Sequence, residues 1–332
     1  MPRSLLEAAA AALARFTPTP GSLAAVAVAL LAWAMDAPPA NAQELHGVFV
    51  GINDYIEFED EPGGDLLGAE SDALVMRSVL AERWGLREEN ALTLLSREAT
   101  KDAIEEAITG WLASRVAPGD LAIFYFAGHG AQAFDMDGDE PDGLDETLAP
   151  ADVLMLSSAN DIRDDEFRTW LTSVGTDIVV ILDSCHSGTA TRASTGMRTR
   201  SLDRPLPPEG GNEPKVVRQR PDPESMADGT STILELAAAA PNQSALEGPF
   251  PIDVASPKHV SGADPSDATA ASESRGAFTH FLVQELRNAP EDATYVEILR
   301  AVASRLERGD FMQSPQISGE GARSLFRPGR GR

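Results

Sequence analysis

The sequence predicts an α/β domain, a mainly parallel central sheet flanked by helices on both faces. Two observations carry this. Short apolar runs rich in β-branched and aromatic residues alternate with longer segments of helical periodicity. At 332 residues and 42% hydrophobic, the chain also has the length and apolar content to bury a large core. The same values exclude a collagen, a coiled coil and a wholly disordered chain.

The elements follow in order. His46–Ile52 (HGVFVGI) reads as a buried strand, and Gly68–Trp84 as a helix whose periodic positions include Leu74, Val75, Val79 and Leu80. Ala91–Ser96 is a second strand. Thr100 caps a helix running to about Val116, with Ile104, Ile108, Trp111 and Leu112 on one face. DLAIFYFAGHG forms a third strand ending in a glycine-bracketed histidine; a short helix from Asp165 to about Val174 leads into the fourth, DIVVILDSC. From about 187 to 228 the chain is polar and rich in Pro, Gly, Arg and Asp, which reads as a flexible loop. Thr232–Ala240 resumes as a strand, and about 246–275 is a second polar insertion read as loop. Helices follow at Gly276–Asn288 and Thr294–Glu307. No internal repeat is visible, and one domain over 43–327 with a tail at 328–332 is expected.

The first 42 residues differ in kind. Arg3 and Arg15 precede an apolar run from Leu23 to Met35, and Ala40-Asn41-Ala42 places small residues where a signal peptidase reads, before Gln43. The run is shorter than the roughly 20 residues that span a bilayer as a helix. A removable signal peptide over 1–42 is expected, giving a periplasmic or extracellular protein without stable membrane insertion after its removal. The chain carries 27 Lys+Arg against 52 Asp+Glu, a net charge of −25. That argues against nucleic acid and anionic lipid as partners, both of which demand a basic surface.

A single cysteine, Cys185, excludes an internal disulfide and a zinc site on paired cysteines. Open α/β sheets hold their active sites beyond the carboxyl ends of strands. Two such ends carry matched groups: His129 between Gly128 and Gly130, and Cys185 in Asp183-Ser184-Cys185-His186-Ser187-Gly188. A thiolate is a strong nucleophile, and an imidazole can take its proton and later protonate a leaving amine. Strand alternation turns His186 away from the cleft and leaves His129 as the base; the same alternation turns Asp183 into the cleft with Cys185.

FYFAGHGAQ and VVILDSCHSGT resemble the His and Cys motifs of the caspase-like cysteine peptidases, specifically the metacaspase branch including its prokaryotic members. The resemblance continues through GVFVGINDY, LLGAESDA, DGDEPDGLDETLAPAD, GAFTHFL and QSPQISG, in the family's order. It implies a caspase-like fold, a His129–Cys185 dyad, and an oxyanion hole from the backbone amides of Gly130 and Cys185. It also implies an acidic S1 pocket from Asp72 and Asp183 for basic P1 residues, Arg over Lys, in peptide or protein substrates. No basic residue is expected beside the dyad. Ala127 departs from the family, where many members carry Ser. Calcium-activated members use two consecutive aspartates, matching Asp164 and Asp165, with an upstream one matching Asp145; the acidic loop itself misses the EF-hand spacing. No organic cofactor is expected, and Ca²⁺ is the one candidate ion. Self-cleavage is expected in the loop after Cys185, where Arg192, Arg198, Arg200, Arg204, Lys215, Arg218 and Arg220 are candidate sites. Two other readings stay open: a catalytically weak interaction module, and a non-peptidase cysteine hydrolase, which would need neither Asp72 nor Asp183.

Overall fold

The computed structural model describes residues 43–57, 64–135, 138, 143–185, 197–202, 232–240, 243–251 and 272–326. The chain divides into two compact units, Met1–Ala42 and Gln43–Arg332, and every described residue belongs to the second. Residues 1–42 with their apolar run, His186, Arg192, Arg204, Lys215, Arg218, Arg220 and the 328–332 tail therefore lie outside the described residues. Among the described residues, no helix is long and apolar enough to cross a membrane.

The first half comprises β1 (Leu45–Gly51), α1 (Ala69–Trp84), β2 (Ala91–Leu95), α2 (Lys101–Glu105, continuing as a π-helix over Glu106–Leu112), β3 (Leu121–Ala127), β4 (Gly130–Phe134), β5 (Leu144–Leu148), β6 (Ile162–Arg163) and α3 (Asp164–Ser173). The second comprises β7 (Asp177–Asp183), β8 (Arg198–Thr199), β9 (Ile233–Ala237), β10 (Leu246–Pro251), β11 (Ser272–Gly276), α4 (Ala277–Asn288), α5 (Tyr295–Arg308) and β12 (Gln316–Ser318). The central sheet runs β12-β9-β7-β3-β1-β2, parallel except for β12 against β9.

Both faces of that sheet are covered, and two successive residues of β3 show how. The Phe124 ring meets Phe167 of α3 edge-on at 5.1 Å, whereas the Tyr125 hydroxyl lies 2.6 Å from Thr279 of α4. Neighbouring strand residues point to opposite faces, so α3 and α4 lie on opposite sides. Helix α1 shares the α4 side: Gly51, level with Ala127 across the β1–β3 pair, approaches it so closely that a Cβ there would sit 2.5 Å from the Ala69 carbonyl. With both faces covered, β1 and β3 are buried along their whole lengths. Helix α1 ends at Gly85, whose φ of 71° only glycine adopts freely and which lets the Leu86 amide reach back to the Leu80 carbonyl. Helix α5 starts in a capping box between Thr294 and Glu297.

The structure corrects five details. The polar insertion read as loop over 246–275 begins and ends in strands: β10 and β11 pair antiparallel, with β8 on the other edge of β10. These strands lack an apolar alternation because they wall a charged pocket. The acidic stretch after β3 contains a second small antiparallel sheet, β4-β5-β6. The helix capped by Thr100 passes into a π-helix and ends at Leu112, not near Val116. The strand read to Ala240 stops at Ala237, and the short edge strand β12 was not visible as apolar periodicity.

Phe124 is fully buried at the centre of the sheet. Phe124→Ala should lower the unfolding free energy by about 3–5 kcal/mol, the range for deleting a buried phenyl ring; urea unfolding followed by circular dichroism measures this.

Candidate active site

The register of β3 and β7 brings the histidine and the cysteine to one place. Ala127 and Asp183 are the last paired positions, and the Gly128 amide still donates to the Asp183 carbonyl at 3.4 Å. His129 and Cys185 each follow two residues later, both buried at 1% exposure.

His129 is held from three sides. Its backbone amide donates to the Tyr55 hydroxyl at 2.6 Å, and the two rings lie 5.0 Å apart. Its Nε2 lies 2.8 Å from the Gly64 carbonyl oxygen. A carbonyl only accepts, so the neutral ring carries its proton on Nε2 and presents the Nδ1 lone pair. Burial pushes the imidazole down to about 4, against the opposing pull of the Gly64 and Arg200 carbonyls. Burial likewise pushes the Cys185 thiol up to about 11. In this arrangement the proton stays on sulfur.

The two amides expected to form an oxyanion hole converge on one atom. Gly130 N–H and Cys185 N–H both donate to the carbonyl oxygen of Arg200, at 3.0 and 3.2 Å. The Arg200 amide donates to the Ala245 carbonyl at 2.9 Å, the Leu202 amide to the Gly130 carbonyl at 2.9 Å, and β8 just upstream pairs with β10. Residues 198–202 thus cross the dyad as an extended peptide.

The Arg200 side chain ends among three carboxylates, all without solvent exposure. Its Nη2 lies 2.5 Å from Asp72 Oδ2 and 3.3 Å from Glu247 Oε2, and its Nη1 lies 3.0 Å from Asp183 Oδ2. Each carboxylate has further donors. Asp72 accepts from Gly276 N–H at 2.7 Å, and Glu247 from Leu67 and Gly68 N–H at 2.9 and 3.2 Å. Asp183 accepts from Thr279 N–H at 3.2 Å and its hydroxyl at 2.6 Å. Because a carboxylate only accepts, Thr279 gives its proton to Asp183 and Tyr125 donates to Thr279. Thr279 supplies a hydroxyl contact to Asp183, the residue paired with Ala127. Burial raises Asp72 to about 7 despite the Arg200 charge. A second guanidinium, that of Arg275, stands 3.9 Å from Asp72 Oδ1.

The structure therefore brings together His129, Cys185, Gly130, Asp72 and Asp183. It corrects the expectation that no basic residue lies beside the dyad: Arg200 lies there as an occupant of the acidic pocket, and Arg275 stands against Asp72. Sequence reasoning missed Glu247, Arg275, Thr279, Tyr55 and the Gly64 carbonyl. Two of these, Tyr55 inside GVFVGINDY and Thr279 inside GAFTHFL, stood within motifs already singled out.

Of the expected calcium set, Asp145 lies on β5, and Asp164 and Asp165 open α3. Asp145 is ion-paired with Arg163, the residue just before Asp164. Asp164 lines a separate cavity of about 440 Å³ with Phe167, Leu171, Glu235 and Ile317. Among the described residues, no group of three or more His, Cys, Asp or Glu side chains is placed to hold a metal ion. An ion at Asp145 would have to compete with the Arg163 guanidinium.

A thiol and an imidazole at the ends of adjacent parallel strands, with paired amides on a carbonyl, define a caspase-like cysteine-peptidase site. Residues 46–194 match the family model for the metacaspase peptidase C14 domain. Metacaspase-1 of Pyricularia oryzae is 31% identical over 82% of this chain and 70% of its own length. Metacaspase-1 of Ajellomyces capsulatus is 30% identical over 82% of this chain and 78% of its own. Protein GSU0716 from Geobacter sulfurreducens, a solved structure, is 25% identical and superposes with a TM-score of 0.55 over 84% of this chain and 94% of that one. The chain belongs to the metacaspase family and has its caspase-like fold.

Thr279→Val keeps the shape of the side chain but leaves the buried Tyr125 hydroxyl without its acceptor and Asp183 with one donor fewer. It should cost about 1–3 kcal/mol of stability, the range for an orphaned buried polar group, measured by urea unfolding against wild type.

Proposed function

We propose that this metacaspase is an exported endopeptidase that cleaves after basic residues, Arg over Lys, through a His129–Cys185 dyad, and that it processes itself. Membership of the family makes it a cysteine peptidase. The observation that carries the specificity is the buried guanidinium of Arg200 among Asp72, Asp183 and Glu247, with its carbonyl on the Gly130 and Cys185 amides.

The chemistry follows from the groups present. Cys185 Sγ attacks the P1 carbonyl carbon while His129 Nδ1 takes the thiol proton. Charge develops on the carbonyl oxygen, where the Gly130 and Cys185 amides already point. His129 then protonates the leaving amine, and water hydrolyses the thioester with the same imidazole as base. The Gly64 carbonyl holds the imidazole in the tautomer this needs.

Two lateral carboxylates receive a planar guanidinium through separate nitrogens, a geometry that an ammonium matches less well. An acidic P1 side chain would add a negative charge to a buried anionic site. Export rests on the N-terminal segment alone. Neither alternative reading has support of this kind: an interaction module needs no oriented imidazole, and a general cysteine hydrolase needs no triple carboxylate pocket.

Matched fluorogenic peptides ending in Arg, Lys, Asp or Leu should be cleaved in the order Arg, then Lys, with Asp and Leu near background. Preference for Asp, or indifference, would overturn the specificity. Cys185→Ala and His129→Ala should each remove nearly all turnover, because the two groups act as a unit. A charge-assisted hydrogen bond contributes about 1.5–3 kcal/mol, so Asp183→Asn should lower kcat/KM for Arg peptides roughly 10- to 100-fold. Glu247→Gln, at a longer contact, should lower it less, with the loss mainly in KM.

A further inference from the structure

The α3 face of the central sheet holds a feature that peptide cleavage does not use. The cavity of about 440 Å³ beside α3 falls within the roughly 300–1,000 Å³ of pockets that take small molecules. Leu182 lines it, and the next residue, Asp183, reaches Thr279 of α4. Neighbouring strand residues point to opposite faces, so this cavity and the acidic pocket around Arg200 lie on opposite sides of the sheet.

The walls are mainly apolar, with Phe167 and Leu171 from α3, Leu182 from β7 and Ile317 from β12. Glu235 interrupts them. It lies mid-strand on β9, in register with Val180 of β7 and Ser318 of β12, and Ile233 and Ala237, two residues to either side, share the cavity with it. The intervening Leu234 and Leu236 are buried on the other face. Among the described residues, the Glu235 carboxylate receives no hydrogen bond and forms no ion pair. Burial raises its carboxyl above the usual range; the more distant Arg168 charge opposes this and Asp164 adds to it. A carboxylate set among apolar side chains without a partner is costly where an aliphatic residue would not be. A bound cation offsets that cost.

We infer that this cavity is a second binding site, for a primary amine carried on an apolar body, with the ammonium on Glu235 and the apolar part against Leu171, Leu182 and Ile317. The charge balance of the lining agrees: Glu146, Asp164 and Glu235 stand against the single guanidinium of Arg168, which is exposed. A neutral apolar molecule would leave Glu235 unpaired, and an anion would add to the negative charge. A bare metal ion gains nothing from apolar walls, and no group of three ligands is placed for one among the described residues. Neither Cys185 nor Arg200 lines the cavity, so the inference stands apart from the peptidase reading.

The test is calorimetric titration of the full chain carrying Cys185→Ala, which stays whole during the measurement, in buffer containing EDTA. Phenethylamine is the probe; phenethyl alcohol has its shape without the charge, and hydrocinnamate carries the opposite charge. Phenethylamine should bind one molecule per chain, roughly tenfold or more tighter than the alcohol, the factor expected of a charge-assisted hydrogen bond, and hydrocinnamate should not bind. Glu235→Gln should melt no lower than its parent, because it removes an unpaired charge, and should bind amine and alcohol alike. Ala237→Phe fills the cavity and should bind neither. Phenethylamine affinity unchanged in Glu235→Gln would overturn the inference, placing the amine elsewhere, such as among the carboxylates around Arg200. Equal binding of amine and alcohol by the parent, or no binding by a folded parent, would also overturn it. Should Ala237→Phe fail to fold, Glu235→Gln decides alone: loss of the preference for amine supports the site, and its retention overturns it.

Discussion

A guanidinium held away from all water must be matched by negative charge in its own immediate surroundings, because an isolated ion in a dry interior costs far more than a domain's whole stability. Arg200 meets that demand with Asp72, Asp183 and Glu247, and each of these has its own supporting donors. The carboxylates come from α1, the end of β7 and β10, so one ion cluster ties the first helix, the central sheet and the small β8-β10-β11 sheet together. Removing one member of such a cluster strands the rest, at a typical cost of about 3–5 kcal/mol for a broken buried pair. Arg275, standing 3.9 Å from Asp72, keeps part of that negative charge balanced.

The rest of the site depends on how this cluster is joined to the sheet. Asp183 closes the paired length of β7 and Cys185 lies two residues on, so the carboxylate that holds the Arg200 guanidinium and the thiol share a single strand end. His129 occupies the corresponding position on β3. Thr279 couples the same carboxylate to Tyr125 in the core, so the pocket wall is braced by the α4 layer. The Gly64 and Tyr55 contacts then set the tautomer and position of the imidazole.

The sheet was legible because its inner strands are buried on both faces: GVFVGI, LAIFYFA and DIVVILD are continuous apolar runs that allow few other readings. His129 and Cys185 were legible because strand ends and glycines mark the active edge of such a sheet. Glu247 and Arg275 were hidden for the opposite reason. They sit in LEGPFP and SESRG, polar segments without periodicity, whose extended form comes from pairing with each other and whose burial comes from opposite charge. Arg200 was one basic residue among several in a segment read as loop. Its role depends on contacts with Asp72 and Gly130, far away in sequence, which no local pattern records. The pairing of Asp145 with Arg163 was equally hidden, because the β5–β6 pairing brings the two near and spacing alone does not reveal it.

The short covalent path from Cys185 to Arg200 gives the occupied cleft a kinetic character of its own. A ligand on such a tether competes at an effective concentration on the order of millimolar, whatever the dilution of the protein. An outside cation seeking the same three carboxylates meets that local competitor at every protein concentration, so dilution alone does not free the pocket.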